Sequence, residues 1–96
     1  MEDCRPISEL RNLGPATERE LEAVGIRSLQ DIIEIGVEET FQLVIASRRA
    51  RGAKVDSSAT LMYALYGAVH DIDWRDVPES QKLEFKKLAA ELRERT

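Results

Sequence analysis

Apolar residues recur at spacings of three and four along most of this chain, the period of helices with one buried face. Leu10 and Leu13 begin the series, with Ser8 placed to cap a short first helix. A second helix is expected from Pro15 to Val24. Leu21 and Val24 face inward, Glu18, Arg19, Glu20 and Glu22 face solvent, and Gly25 stops it. Ser28, with Asp31 three residues on, opens a third helix carrying Leu29, Ile32 and Ile33 toward the core, and Gly36 ends it or opens the next. The fourth runs from Val37 to about Arg49 on Phe41, Val44 and Ile45, with Leu43 widening the stripe.

Residues 50–58 form the longest expected loop, in which Ser57 or Ser58 can cap the following helix. That helix, Ala59 to Asp71, is the most apolar: Leu61, Met62, Leu65, Ala68 and Val69, with Ile72 just beyond. Gly67 and Ala68 would let another helix approach closely. Tyr63, Tyr66 and His70 lie on an adjoining face and, with Trp74, are read first as core packing and second as a recognition surface. After a linker over 71–78, a last helix places Leu83, Leu88 and Leu92 inward, with Phe85 and Ala89 beside them. No stretch alternates β-branched with polar residues. The expectation is an all-α, small single domain of five to six helices over residues 7–95, behind a loose tail over 1–6.

Between the first two helices, Asn12 and Gly14 flank Leu13, and Pro15 follows. Asn and Gly tolerate the left-handed backbone of a tight turn, and Pro suits a first helical turn. This is the pattern of a helix-hairpin-helix-like unit. Such a turn can aim the N–H groups of Gly14, Ala16 and Thr17 at a phosphate.

Charge complicates that idea. The chain has 96 residues and a net charge of −4. Residues 1–47 hold four basic and ten acidic side chains. Positive charge gathers instead at Arg48, Arg49, Arg51 and Lys54, away in sequence from the hairpin. Near the turn only Arg11 and Arg19 could neutralise a phosphate, against Glu18 and Glu20. The candidate contacts for nucleic acid or another partner are therefore Arg11, Asn12, Gly14, Ala16, Thr17, Arg19, Arg48, Arg49, Arg51 and Lys54. The competing interpretation is a structural turn, with the basic stretch ending a solvated helix.

Enzymatic and cofactor chemistry find little footing. His70 has no second His or Cys at metal-ligand spacing. The lone Cys4 suggests no disulfide, and no Ser–His–Asp constellation, Walker loop or dinucleotide fingerprint is visible. No apolar run reaches membrane-spanning length, and no signal peptide is visible, so a cytoplasmic protein without cofactor is expected.

The ordered set Leu10-x-x-Leu13-Gly14-Pro15, Leu21-x-x-Val24-Gly25-Ile26-x-Ser28-Leu29-x-Asp31-Ile32, Leu61-Met62-Tyr63-Ala64-Leu65-x-Gly67-Ala68 and Trp74-x-Asp76-x-Pro78 resembles the C-terminal domain of TfoX/Sxy-type competence regulators. The resemblance spans roughly residues 7–90. It implies an all-α, hairpin-containing, non-enzymatic domain linked to regulation of DNA uptake and transformation in bacteria. Full-length members of that family resemble two-domain proteins. Here Met1 stands just ahead of the first helix, favouring a free-standing single-domain member over a piece of a longer regulator. The sequence departs from DNA-binding hairpins at Asn12, where a first Gly is common, and at Ala16, where a basic residue is common. Two functions follow as expectations. One is a regulatory module contacting DNA or the transcription machinery; the other is a purely protein–protein interaction domain whose hairpin is structural.

Overall fold

The computed structural model describes residues 7–52 and 59–94, with side chains to Leu92. Five α-helices are present among them: α1 Pro15–Ala23, α2 Leu29–Ile35, α3 Val37–Ala50, α4 Thr60–His70 and α5 Glu79–Glu94. Single 3₁₀ turns occupy Ile7–Glu9 and Trp74–Asp76. The described residues contain no strand, so the all-α expectation holds. The expected tail, Cys4, Lys54 and the caps at Ser57 or Ser58 lie outside the described residues.

Local chemistry sets most of the boundaries. Pro15 occupies the first turn of α1, as its fixed φ and missing N–H favour. The Ser28 hydroxyl accepts from the Asp31 N–H, capping α2. The Asp31 carboxylate reaches back to the Arg27 N–H at 3.0 Å, rather than to the Ser28 N–H of a strict capping box. Such a cap is worth about 1 kcal/mol. Gly36 both ends α2 and begins α3, at φ 97°, where a side chain would be strained.

The first arm of the hairpin is shorter than expected. Ile7–Glu9 is a 3₁₀ turn, followed by i→i+3 turn bonds from Leu10 N–H to the Ile7 carbonyl and from Leu13 N–H to the Leu10 carbonyl. Only the second arm is α-helical. Ser8 does not act as an N-cap; its backbone N–H donates to the Glu18 carboxylate at 2.9 Å. Glu18 is thereby taken from the solvated face expected for it and tied to the opposite arm.

Two hydrophobic groups share α3 and α4. Ile7, Leu10 and Leu13 pack with Leu21, Ile26, Leu29, Ile32, Val44 and Leu65. Phe41, Ile45 and Met62 pack with Val77, Phe85, Ala89 and Leu92. The hairpin thus covers one side of the α3–α4 pair and α5 covers the other. Each fully buried large side chain contributes about 1.5–3 kcal/mol of transfer free energy. Two expected core residues are outside: Ile33 is 49% and Leu83 64% exposed. Ile33 stands about 100° around α2 from Ile32, and Leu83 about 200° around α5 from Phe85. A helix burying one face cannot hold both members of either pair.

Candidate functional site

Hairpin geometry turns on Asn12. It has φ 71°, the left-handed conformation expected of the turn. Gly14, by contrast, is extended at φ −129°, ψ −175°, and does not use glycine's freedom. The Asn12 side-chain amide faces the chain sixty residues on. Its Nδ2 donates to the Ile72 carbonyl at 2.9 Å, and its Oδ1 accepts from the Trp74 N–H at 3.2 Å. One amide therefore satisfies two backbone groups of the linker after α4, acting as a peptide mimic between hairpin and linker.

Gly67 makes this possible. A Cβ there would overlap the Asn12 amide nitrogen and the Ile72 carbonyl oxygen. The expected close approach at Gly67 is real, but the partner is the hairpin's Asn12 and the chain just past α4, not another helix. The turn beyond α4 is set by Asp71 at φ 54° and by the Gly67 carbonyl, which accepts from the Ile72 N–H at 2.9 Å.

The basic residues are largely engaged as well. Arg48 holds Glu20 in a fork, Nε to Oε2 at 2.6 Å and Nη2 to Oε1 at 2.8 Å. Arg51 lies 3.8 Å from the same carboxylate. The Arg49 guanidinium donates to the Leu92 carbonyl at 2.9 Å, tying the C-terminal parts of α3 and α5 together. Arg11 and Arg19 are exposed. Ala16 and Thr17 lie in the first turn of α1, which has no side-chain cap. The structure thus carries Arg48 and Arg51 onto α1, but there they meet Glu20.

Those arginines hold the Glu20 carboxyl below its ordinary value, chiefly through the Arg48 hydrogen bond and against a smaller opposing effect of burial. A depressed folded-state pKa gives stability that is present above the unfolded value and lost as pH falls through the folded one. Glu20→Gln should therefore lower stability by about 0.5–1 kcal/mol at neutral pH. The gap to the native chain should close below about pH 4.5, read from urea midpoints at several pH values. A gap independent of pH would assign Glu20 a role other than its charge. On the linker, Asp73 is pulled down to about 2, first by the Arg75 side chain and then by the Arg75 N–H.

A second feature was not legible in the sequence. A cleft of about 520 Å³ opens where the α2–α3 junction faces α4 and α5. Its walls include Ile35, Glu38, Gln42, Tyr66, His70 and Gln81, with Phe85 beneath. The Tyr66 and His70 rings stack at 4.1 Å between centroids, tilted by 37°. Tyr66 also meets Phe85 edge-on at 6.0 Å. Core packing thus accounts for Tyr63 and Tyr66, whereas His70 is exposed and Trp74 is 41% exposed. The one local signal for this cleft was Tyr66 and His70 four apart on α4, hence neighbours on its surface.

Residues 4–89 match the family model described as the TfoX C-terminal domain. Among solved structures, the chain is similar to an uncharacterized protein from Listeria monocytogenes in a triclinic crystal form. That similarity has a TM-score of 0.80 and 29% identity, covering 93% of this chain and 94% of the other. A tetragonal crystal structure of a protein of unknown function from Listeria monocytogenes gives a TM-score of 0.74 and 30% identity, over 88% of this chain and 98% of the other. No curated protein matches the chain.

Proposed function

The chain belongs to the TfoX C-terminal domain family, and we propose that it is a non-enzymatic regulatory module that works by engaging a partner protein, its hairpin serving the fold. The regulation is of the kind the family resemblance implies, that of DNA uptake.

The observation that supports this reading is the use made of Asn12. Its amide is taken up by Ile72 and Trp74, so the turn's main polar side chain faces the protein. The charge around it supports the same reading. DNA binding draws on cations left available to displace counterions from phosphate. Among the described candidates Arg48 grips Glu20 and Arg49 holds the Leu92 carbonyl of α5, leaving Arg11, Arg19 and the half-exposed Arg51, in a chain of net charge −4. Phosphate contacts from Ala16 and Thr17 N–H groups would carry no sequence information on their own. No helix among the described residues is long and apolar enough to cross a membrane.

Photo-crosslinking in the cells that make the protein tests this. The photoreactive residue p-benzoylphenylalanine is placed at Ala16, beside the turn, or at Gln42, in the cleft. Protein adducts are expected. Nucleic-acid adducts from the Ala16 position, or no macromolecular adduct from either, would contradict the proposal.

A further inference from the structure

Near their C-termini α3 and α5 are tied by Arg49 and Leu92, and toward their N-termini they stand apart. Beside the cleft at that open end, farther along α5, lies a smaller hollow of about 280 Å³, with Glu38 lining both. With Glu38 shared between them, the two hollows form a groove of two adjoining parts between His70 and Glu91. From Gln81 to Glu91 α5 rises about 15 Å, the span of four to five extended residues.

We propose that this groove docks a short basic segment of a partner protein, one carrying arginine or lysine beside an apolar residue. The inference rests on the protein-interaction reading above and adds the place and the chemistry of the partner. Charge is the first argument. Glu38, Glu39, Glu84 and Glu91 line the groove against a single lysine, Lys87. None of these four carboxylates has a side-chain hydrogen bond or ion pair among the described residues. Glu18, Glu20, Asp31 and Asp73 do have one, while Glu9, Glu22 and Asp71 are unpartnered but scattered singly elsewhere. Among the described residues the groove therefore gathers four carboxylates without a side-chain partner beside one lysine, Glu38 and Glu39 also lying in the first turn of α3, where the helix dipole favours them.

Its remaining walls suit a peptide better than a bare cation. Tyr66, with the exposed His70 ring stacked on it, gives the cleft an aromatic wall that a guanidinium or ammonium can approach. Ile35, 38% exposed at the rim, offers an apolar contact for the neighbouring side chain. Gln42 and Gln81 bring amides that can both donate to and accept from an extended backbone. The basic stretch of a second copy is a poorer occupant, because Arg48 and Arg49 are engaged within their own chain.

The test uses the full ¹⁵N-labelled chain and a capped six-residue peptide alternating arginine and leucine, with a glutamate-for-arginine version as control. Saturable amide shifts are expected at Glu38, Glu39, Gln42, His70, Gln81 and Glu84, weakening as salt rises, with no response to the acidic control. Glu38→Gln combined with Glu39→Gln, both exposed positions, should weaken binding about tenfold while the rest of the amide spectrum keeps its dispersion. Shifts spread evenly over the acidic surface and indifferent to that double substitution would overturn the proposal. So would the absence of shifts, or concentration-dependent broadening of the same amides without peptide, the mark of self-association. Protein adducts in cells combined with no groove response would sink the groove and leave the interaction reading standing. Nucleic-acid adducts from Ala16 would sink the reading itself.

Discussion

Gly67→Ala should destabilise the domain by about 2–3 kcal/mol, although alanine is the better helix former. At an exposed helical site the exchange would gain about 0.5–1 kcal/mol. Here the new methyl enters the space of the Asn12 amide and the Ile72 carbonyl. Overpacking of this kind costs about 1–3 kcal/mol, and displacing Asn12 also removes its bonds to Ile72 and Trp74. For a domain of this size the thermal midpoint should fall by about 10–20 °C. The mechanism has its own signature. Asn12→Gly keeps a residue that tolerates φ 71° but removes the amide. In that background Gly67→Ala should cost at least about 1 kcal/mol less, a non-additivity expected of residues in contact. The Ile72 carbonyl remains, so the cost should shrink without vanishing. Strict additivity would mean that Asn12 and Gly67 act independently.

Phe85→Ala should be at least as damaging, at about 3–5 kcal/mol. Phe85 is 1% exposed and packs in the group that joins α5 to α3 and α4. Its ring lies 6.1 Å from Tyr63 and 6.0 Å from Tyr66 between centroids. Truncation removes those contacts and leaves a cavity beneath the cleft. Against a total stability of roughly 5–15 kcal/mol for a small domain, α5 should lose much of its hold. Leu83→Ala, two positions earlier on the same helix, should change stability by less than about 0.5 kcal/mol, because that leucine already faces solvent. Equal losses at the two positions, measured by urea unfolding, would show that α5 packs through a different face.

The contrast between Phe85 and Leu83 marks how far the sequence could be read. Helical period and end signals placed α1 to α5 well, because Pro15, Ser28 and Gly36 act on their own neighbours. Which of two nearby apolar residues turns inward depends on where the next helix lies, and Ile33 and Leu83 were misjudged for that reason. The hairpin shows the same division. A turn at Asn12 was legible from residue type. That its amide would reach Ile72 and Trp74 was not, since the pairing spans sixty residues and leaves no periodic trace. Gly67 did signal a close approach, but local pattern could not name the occupant.

Charge was legible as a sum and misleading as a map. Arg48, Arg49 and Arg51 read as a free basic stretch, yet Glu20, twenty-eight residues earlier, takes up Arg48 and lies close to Arg51. The cleft was hidden because its walls come from four helices, each contributing residues that are ordinary in their own segment.

The most direct test of a hairpin that serves the fold is a titration of the ¹⁵N-labelled chain with a short DNA duplex at low ionic strength. The backbone amides of Asn12, Leu13, Gly14, Ala16 and Thr17 are followed. They should stay in place, and the Trp74 amide, bonded to Asn12 Oδ1, should stay with them. Saturable movement of the Ala16 and Thr17 amides, reversed by added salt, would contradict the account and identify the turn as a phosphate site.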